Sequence, residues 1–180
     1  MRQLTVPITT FIVAAIVSHA LMVAGAPLYA VSKAFKVLKL QGVDPNEINV
    51  SPRKRSGEEL VGMANPDIFA VRVMLDLSAG PMVFEAFVPP DQAYWSITIF
   101  GSNTDVVGVV PDQVVTGGRA RVVLATDQQS RDIEADDPVV TLPDARGYAY
   151  IRSIPTDVTD PAITRKTLEV LERTTLKPLS

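Results

Sequence analysis

The sequence lacks cysteine and contains a single histidine, which removes much of the chemistry available to a small protein. Without cysteine the chain has no disulfide, no thiolate nucleophile and no cysteine metal ligand. The one histidine, His19, lies inside an apolar segment near the amino terminus. The rest of the chain therefore cannot supply a Ser-His-Asp triad, a Cys-His pair or a histidine zinc site. It also has no glycine-rich phosphate loop, so we expect no cofactor and no metal.

Charged residues are missing from the stretch between Gln3 and Ser32. A helix needs roughly 20 mostly apolar residues to cross a bilayer, so this run predicts an N-terminal transmembrane helix. A cleaved signal peptide is the alternative, because Ala24-Gly25-Ala26 has the small-x-small form of a cleavage site. Pro27 directly after that site, together with the length of the apolar run, favours an uncleaved anchor.

Two kinds of polar residue accompany the predicted span. His19 lies near its middle, where a polar side chain is costly, so we expect it to contact a backbone carbonyl or a partner helix. Lys33, Lys36 and Lys39 follow the span and are predicted to lie at the lipid headgroups, which makes membrane lipid an expected partner.

Charge is distributed unevenly along the chain. Residues 1–55 hold seven basic and two acidic groups, a net charge of +5, whereas residues 56–180 hold ten basic and eighteen acidic groups, a net charge of −8. The acidic part would repel phosphates, so nucleic acid is not an expected partner. The lysines after the span predict a cytoplasmic domain by the positive-inside rule, whereas a signal anchor would export the domain that it precedes.

Residues 1–40 are predicted to be a transmembrane anchor and juxtamembrane helix, residues 41–62 a linker, and residues 63–180 a β-rich domain. Short alternating or β-branched runs predict strands near 68–77, 82–88, 93–100, 106–110, 139–142 and 148–154. The Gly117-Gly118 pair predicts a tight hairpin turn. This turn would join two further strands within residues 114–123, one on each side of the glycines. The fold class is mainly β, a small antiparallel sandwich or barrel-like domain. Asp160 and Pro161 predict the start of a helix that closes the chain and packs on the sheet.

Two groups of side chains are candidates for a site. Tyr94 and Trp95 are neighbours on a predicted strand, so one faces the core and the other is free to stack on a ligand. Arg119 and Arg121 share a strand face and could bind an anion. The second group is an acidic loop. Its carboxylates are not spaced like the calcium ligands of an EF-hand, so we expect the loop to be a solvated turn. Its members are Asp132, Glu134, Asp136 and Asp137.

Several segments in a fixed order resemble the domain of unknown function 1254, in its short bacterial branch with one N-terminal span. These segments are Asn65-Pro66, Leu75-Asp76-Leu77-Ser78-Ala79-Gly80-Pro81, Tyr94-Trp95-Ser96-Ile97, Val122-Val123-Leu124-Ala125-Thr126 and Tyr148-Ala149-Tyr150-Ile151-Arg152. The resemblance implies a β-rich domain, a bacterial inner-membrane anchor, an exported domain and a partner of the sister family, the domain of unknown function 1214. It implies no established reaction.

These observations predict a single-pass inner-membrane protein whose periplasmic β domain acts as an interaction module in an envelope complex. The missing catalytic residue types favour a protein that is not an enzyme. One alternative is a domain that binds a small molecule or glycan through Tyr94, Trp95, Arg119 and Arg121. Another is a hydrolase that uses paired carboxylates.

Overall fold

The computed structural model describes residues 2–40, 44–51, 65 and 67–179, and it begins with one long helix. Helix α1 spans Arg2–Leu40 and is exposed along nearly all of its described surface. Its segment Pro7–Lys33 is long and apolar enough to cross a membrane. This confirms the predicted N-terminal apolar helix. An apolar helix at this position fits both the anchor and the signal-peptide interpretation.

The described part of the chain beyond α1 contains nine strands and a second helix. The strands are β1 (Asn49–Ser51), β2 (Phe69–Asp76), β3 (Met82–Phe87), β4 (Gln92–Gly101), β5 (Val106–Pro111), β6 (Arg119–Thr126), β7 (Val139–Leu142), β8 (Arg146–Pro155) and β9 (Thr175–Pro178). Helix α2 (Pro161–Leu171) lies between β8 and β9.

The strands form two sheets that pack face to face. Sheet A has the order β1-β2-β8-β4-β5, and sheet B has the order β7-β6-β3-β9. The predicted mainly β sandwich is therefore confirmed, and the sheets do not close into a barrel. All pairs are antiparallel apart from β6 and β7, which are parallel. The long loop between β6 and β7 carries the chain back to the end of the sheet at which β6 begins. Strand β7 can therefore run in the same direction as β6.

Alternation along the strands builds the core between the sheets. On β8, Ala149 and Ile151 face inward and are fully buried. They meet inward residues of sheet B such as Phe84 and Leu124. Helix α2 adds Leu171 and contacts β2 and β8 of sheet A as well as β3 of sheet B. The helix thus bridges the two sheets, as expected for one that packs on the sheet.

Helix α2 begins where the sequence predicts, but it is not the last element of the chain. The Asp160 carboxylate accepts a hydrogen bond from the Ala162 N–H at 2.7 Å, with Pro161 at the first helical position. The prediction that this helix closes the chain is wrong, because β9 follows it and pairs with β3. Strand β9 has four residues and one large apolar side chain, Leu176, which is too short a pattern to indicate a strand.

The predicted hairpin at Gly117-Gly118 is also wrong. Both glycines do have positive φ angles, 67° and 69°, as a primed turn would require. They lie, however, where the chain passes from β5 in sheet A to β6 in sheet B. Val114, expected in a strand, lies in a short 3-10 turn. A glycine pair can adopt the positive φ angles of a hairpin turn within one sheet or of a crossover between two sheets. The local sequence pattern therefore does not distinguish these two connections.

Part of the predicted linker belongs to sheet A. Strand β1 lies within residues 41–62 and pairs antiparallel with β2. Asn46 extends this contact through its side-chain amide. The Asn46 Nδ2 donates a hydrogen bond to the Asp76 carbonyl at 2.8 Å, and the Asn46 Oδ1 accepts one from the Asp76 backbone N–H at 2.9 Å. Residues 41–43 and 52–62 lie outside the described residues. The division at residues 40 and 62 stays a prediction.

We expect Gly147→Ala to destabilise the fold by about 1–3 kcal/mol, as overpacking of a core does. A Cβ at this position would lie 2.6 Å from the backbone oxygen of Phe100, and it would also meet Leu142. The Leu142 side chain can move, but the Phe100 carbonyl belongs to the adjacent strand β4. The measurement is the urea midpoint of the full chain in mild detergent, followed by circular dichroism. An unchanged midpoint would show that the strands separate freely here.

Candidate functional site

Tyr94 and Trp95 lie on opposite faces of β4, as predicted. Trp95 is fully buried in the core, whereas Tyr94 is 42% exposed on the outer face of sheet A. The Tyr94 hydroxyl hydrogen-bonds the Ser96 hydroxyl at 2.8 Å. Trp95 thus presents no surface to a ligand, and Tyr94 is the member of the pair that remains available for stacking.

Arg119 and Arg121 lie on the other sheet, and their charges are already paired. Arg119 Nη2 is 2.5 Å from Glu85 Oε2, and Arg121 Nη1 is 2.9 Å from Asp137 Oδ2. The hydrogen bond from Arg119 lowers the pKa of Glu85 below its ordinary value. The structure therefore does not bring Arg119 and Arg121 together with Tyr94, and the four residues do not form one site. A role for either arginine in binding a ligand stays a prediction.

The acidic loop does not gather its carboxylates around a common point. Asp137 is engaged by Arg121. Among the residues that the structure describes, no three His, Cys, Asp or Glu side chains are close enough to hold a metal ion. The alternative of a hydrolase that uses paired carboxylates stays a prediction.

The polar side chains of α1 from Thr9 to Lys39 are exposed. His19 lies within the apolar segment, Lys33 is its last residue, and Lys36 and Lys39 follow it. Lys33 Nζ lies 6.0 Å from the centre of the Tyr29 ring. The intramembrane contact of His19 and the headgroup contacts of Lys33, Lys36 and Lys39 stay predictions.

The outer face of sheet A carries a cluster that the sequence reasoning missed. We call it the arginine–tyrosine face, and it consists of Arg72, Tyr148, Tyr150 and Arg152. Arg72 lies directly opposite Tyr150 across strands β2 and β8. The guanidinium carbons of Arg72 and Arg152 lie 5.8 and 4.9 Å from the centre of the Tyr150 ring, within the range of cation–π contacts.

Aromatic rings continue this face towards β4. The rings of Tyr148 and Tyr150 stack with centres 6.1 Å apart, and Phe100 lies 6.4 Å from Tyr148 on the other side. Burial raises the pKa of the Tyr148 hydroxyl to about 12, although Arg72 and Arg152 oppose part of this shift. The Tyr148 hydroxyl is therefore a neutral hydrogen-bond donor at physiological pH.

The signal for this face was present in the sequence. In the segment from Tyr148 to Arg152 the small or aliphatic Ala149 and Ile151 alternate with tyrosine and arginine. A period of two places the two tyrosines and Arg152 on one face of the strand. What the sequence could not show is that β2 pairs with β8, and this pairing brings Arg72 beside Tyr150.

The edge of the same face is apolar and exposed. We call it the valine edge, and it consists of Val106, Val109 and Val114, which are 56%, 55% and 67% exposed. A register shift opposite Ile99 and Phe100 places Val106 beside Phe100 and Val109 beside Thr98, both on the outer face. Strand β5 ends sheet A and contains no charged residue, so it lacks the lysines that commonly protect an edge strand.

The Tyr148 hydroxyl should titrate near pH 12, about two units above an ordinary tyrosine. The pKa of this hydroxyl is higher in the folded state than in the unfolded state, so its neutral form contributes to the stability of the fold. This contribution is fully present below about pH 10, the ordinary pKa of tyrosine, and it is lost as the pH rises through about 12. The test is the ultraviolet absorbance of tyrosinate against pH for the wild type minus Tyr148→Phe, with circular dichroism at each pH. A difference curve centred near pH 10 would contradict the burial of this hydroxyl.

Comparison with solved structures supports the fold. The VPA0106 protein from Vibrio parahaemolyticus matches with a TM-score of 0.69 at 14% identity, over 88% of this chain and 37% of that chain. A putative uncharacterized protein from Burkholderia cenocepacia matches with a TM-score of 0.50 at 12% identity, over 90% of this chain and 42% of that chain. This chain thus corresponds to about two-fifths of each relative. No curated protein matches it significantly.

The family comparison covers most of the β domain. The family described as "Protein of unknown function (DUF1254)" matches residues 45–175, which include both sheets up to the start of β9 and the whole of α2. This confirms the resemblance carried by the segments around Leu75, Tyr94 and Tyr148. The chain therefore belongs to the DUF1254 family.

Proposed function

We propose that this protein is a non-enzymatic interaction module whose β domain binds a protein partner through the valine edge. The observation that carries the proposal is the edge strand β5, which contains no charged residue and exposes two valines. Val106 and Val109 are exposed on the outer face of sheet A. Val106 lies opposite Phe100 on β4, and Val109 lies opposite Thr98. An apolar edge with free backbone groups is suited to pairing with a strand of another protein.

The exposure of the edge supports a protein as the partner. Val106 and Val109 are 56% and 55% exposed on a strand without charged residues. Exposed apolar patches of this kind commonly mark a protein interaction surface. We propose that the protein that covers it is a member of the sister family, the domain of unknown function 1214.

The N-terminal helix supports a membrane-bound complex. In this proposal α1 spans the bacterial inner membrane once, and the β domain lies in the periplasm. Lys33, Lys36 and Lys39 then lie at the headgroups, where each basic group is stabilised by anionic lipid by about 1 kcal/mol. His19 contacts a helix of the partner, because a lone helix offers its ring few hydrogen-bond partners in lipid.

We expect Val109→Lys to remove a partner that co-purifies with the wild type after crosslinking of intact cells and gentle solubilisation. A lysine on β5 blocks strand pairing and adds a charge to the apolar edge. Ala162→Lys is the matched control, since residue 162 is exposed on α2 away from this edge. His19→Leu, assayed in the same way, should weaken the complex through the span.

The proposal fails if the wild-type protein is a lone monomer in mild detergent at native abundance. It also fails if Val109→Lys and Ala162→Lys retain the same partner in equal amount. In the first case the β domain works alone, and binding of a small molecule or glycan becomes the better account of its function.

A further inference from the structure

We propose that the arginine–tyrosine face is a binding site for a soluble ligand or lipid headgroup that carries a carboxylate or phosphate group. The site is distinct from the valine edge, and none of its residues was assigned a role by sequence. Arg72 and Arg152 supply the positive charge, and the tyrosine rings supply an apolar surface and hydroxyl donors.

Two cations lie beside one tyrosine ring on this face. Arg72 is the cross-strand neighbour of Tyr150, and Arg152 lies two residues further along β8 on the same face. Both guanidiniums approach the Tyr150 ring. Both side chains are half-buried, so each cation has lost part of its water. Two neighbouring, partly desolvated cations repel each other, and an anion bound between them relieves that repulsion.

Neither Arg72 nor Arg152 forms an ion pair with an acid in the described part of the chain. Sheet A contains one acidic residue in its strands, Asp76, at the far end of β2. Its carboxylate is bound by the Ser78 hydroxyl at 2.5 Å and by the Ser78 N–H at 3.0 Å. Sheet B differs, because Glu85 pairs there with Arg119. Among the described residues, the arginines of sheet B are thus paired with acids, whereas Arg72 and Arg152 on sheet A are not.

Arg152 lies between two small residues of the neighbouring strands. Its cross-strand neighbours on either side are Ala70 and Ser96, which are both buried. These short side chains leave room on the sheet for the Arg152 side chain, which is half-buried. The Tyr94 hydroxyl is held at Ser96, so its ring borders the same position. A planar guanidinium beside a tyrosine ring is well suited to an oxyanion on a sugar or aromatic body.

The hydroxyls complete the set of donors. The Tyr148 hydroxyl stays protonated at physiological pH, so it donates a hydrogen bond and adds no negative charge that would repel an anion. Because charge-assisted hydrogen bonds are stronger than neutral ones, most of the affinity should come from the two arginines.

The experiment is calorimetric titration of the full-length protein in nonionic detergent with glucuronate, with inorganic phosphate and with glucose. Glucuronate and glucose share a sugar ring, but only glucuronate has the carboxylate. We expect glucuronate or phosphate to bind and glucose to bind at least tenfold more weakly. Arg72→Gln and Arg152→Gln should each weaken anion binding about tenfold or more, since a hydrogen bond to a charged group is lost.

Two further variants separate a specific site from general attraction. Arg165→Gln removes a cation that is exposed on α2, and it should leave anion binding unchanged. Arg72→Lys keeps the charge but loses the planar fork, so its affinity should lie between those of the wild type and Arg72→Gln. Circular dichroism melting shows whether each variant is folded, and Arg72→Lys serves in place of Arg72→Gln if that variant is not.

A lipid arm distinguishes the two sources of the anion. If the ligand is a lipid headgroup, phosphatidylglycerol in the detergent will bind and will displace soluble anions, and Arg152→Gln will weaken both effects. The proposal is overturned if neither soluble anions nor phosphatidylglycerol bind, if glucose binds as well as glucuronate, or if Arg165→Gln weakens binding as much as Arg72→Gln.

Discussion

The pairing of β8 between β2 and β4 is the constraint on which the rest of the domain depends. This strand has a partner on both sides, and its inward residues Ala149 and Ile151 pack into the core. The same alternation turns Tyr148, Tyr150 and Arg152 outward. A slip of one residue would bury the arginine and expose the isoleucine, so burial of the core also determines which side chains form the outer face.

The position of the domain relative to α1 follows from a short connection. Asn46 bonds the backbone of β2 only six residues after the end of α1 at Leu40. Six residues reach at most about 20 Å, so sheet A stays near the end of the apolar helix. If α1 spans a membrane, the Asp76 end of β2 therefore lies within about 20 Å of the carboxyl end of that helix.

Much of this fold could be predicted from the sequence, because its strands are long enough to show a period of two. The alternation from Phe69 to Asp76 and the cap at Asp160 are local signals, and the structure confirms the strand and the helix start that they predict. The Gly117-Gly118 pair does not predict its connection, because it is compatible with a hairpin within one sheet and with a crossover between sheets. Strand β9 has too few residues to show a pattern. Sheet membership depends on contacts between distant residues, which one sequence does not reveal.

The candidate site could be predicted less well, for a related reason. Aromatic and charged residues attract notice where they are adjacent, as with Tyr94 and Trp95, yet strand geometry separates adjacent residues. The residues that do meet, Arg72 and Tyr150, are far apart in the chain. The period of two predicts that Arg119 and Arg121 share a face, but their partners Glu85 and Asp137 come from other segments.

Site-specific photo-crosslinking in intact cells can show whether the outer side of sheet A is the surface that other molecules meet. A photoreactive residue at Val109, on β5, should yield an adduct of defined mass. The same residue at Lys177, which is exposed on the edge strand β9 of sheet B, should yield none. An adduct at Lys177 without one at Val109 would contradict this account, because sheet B would then be the binding surface.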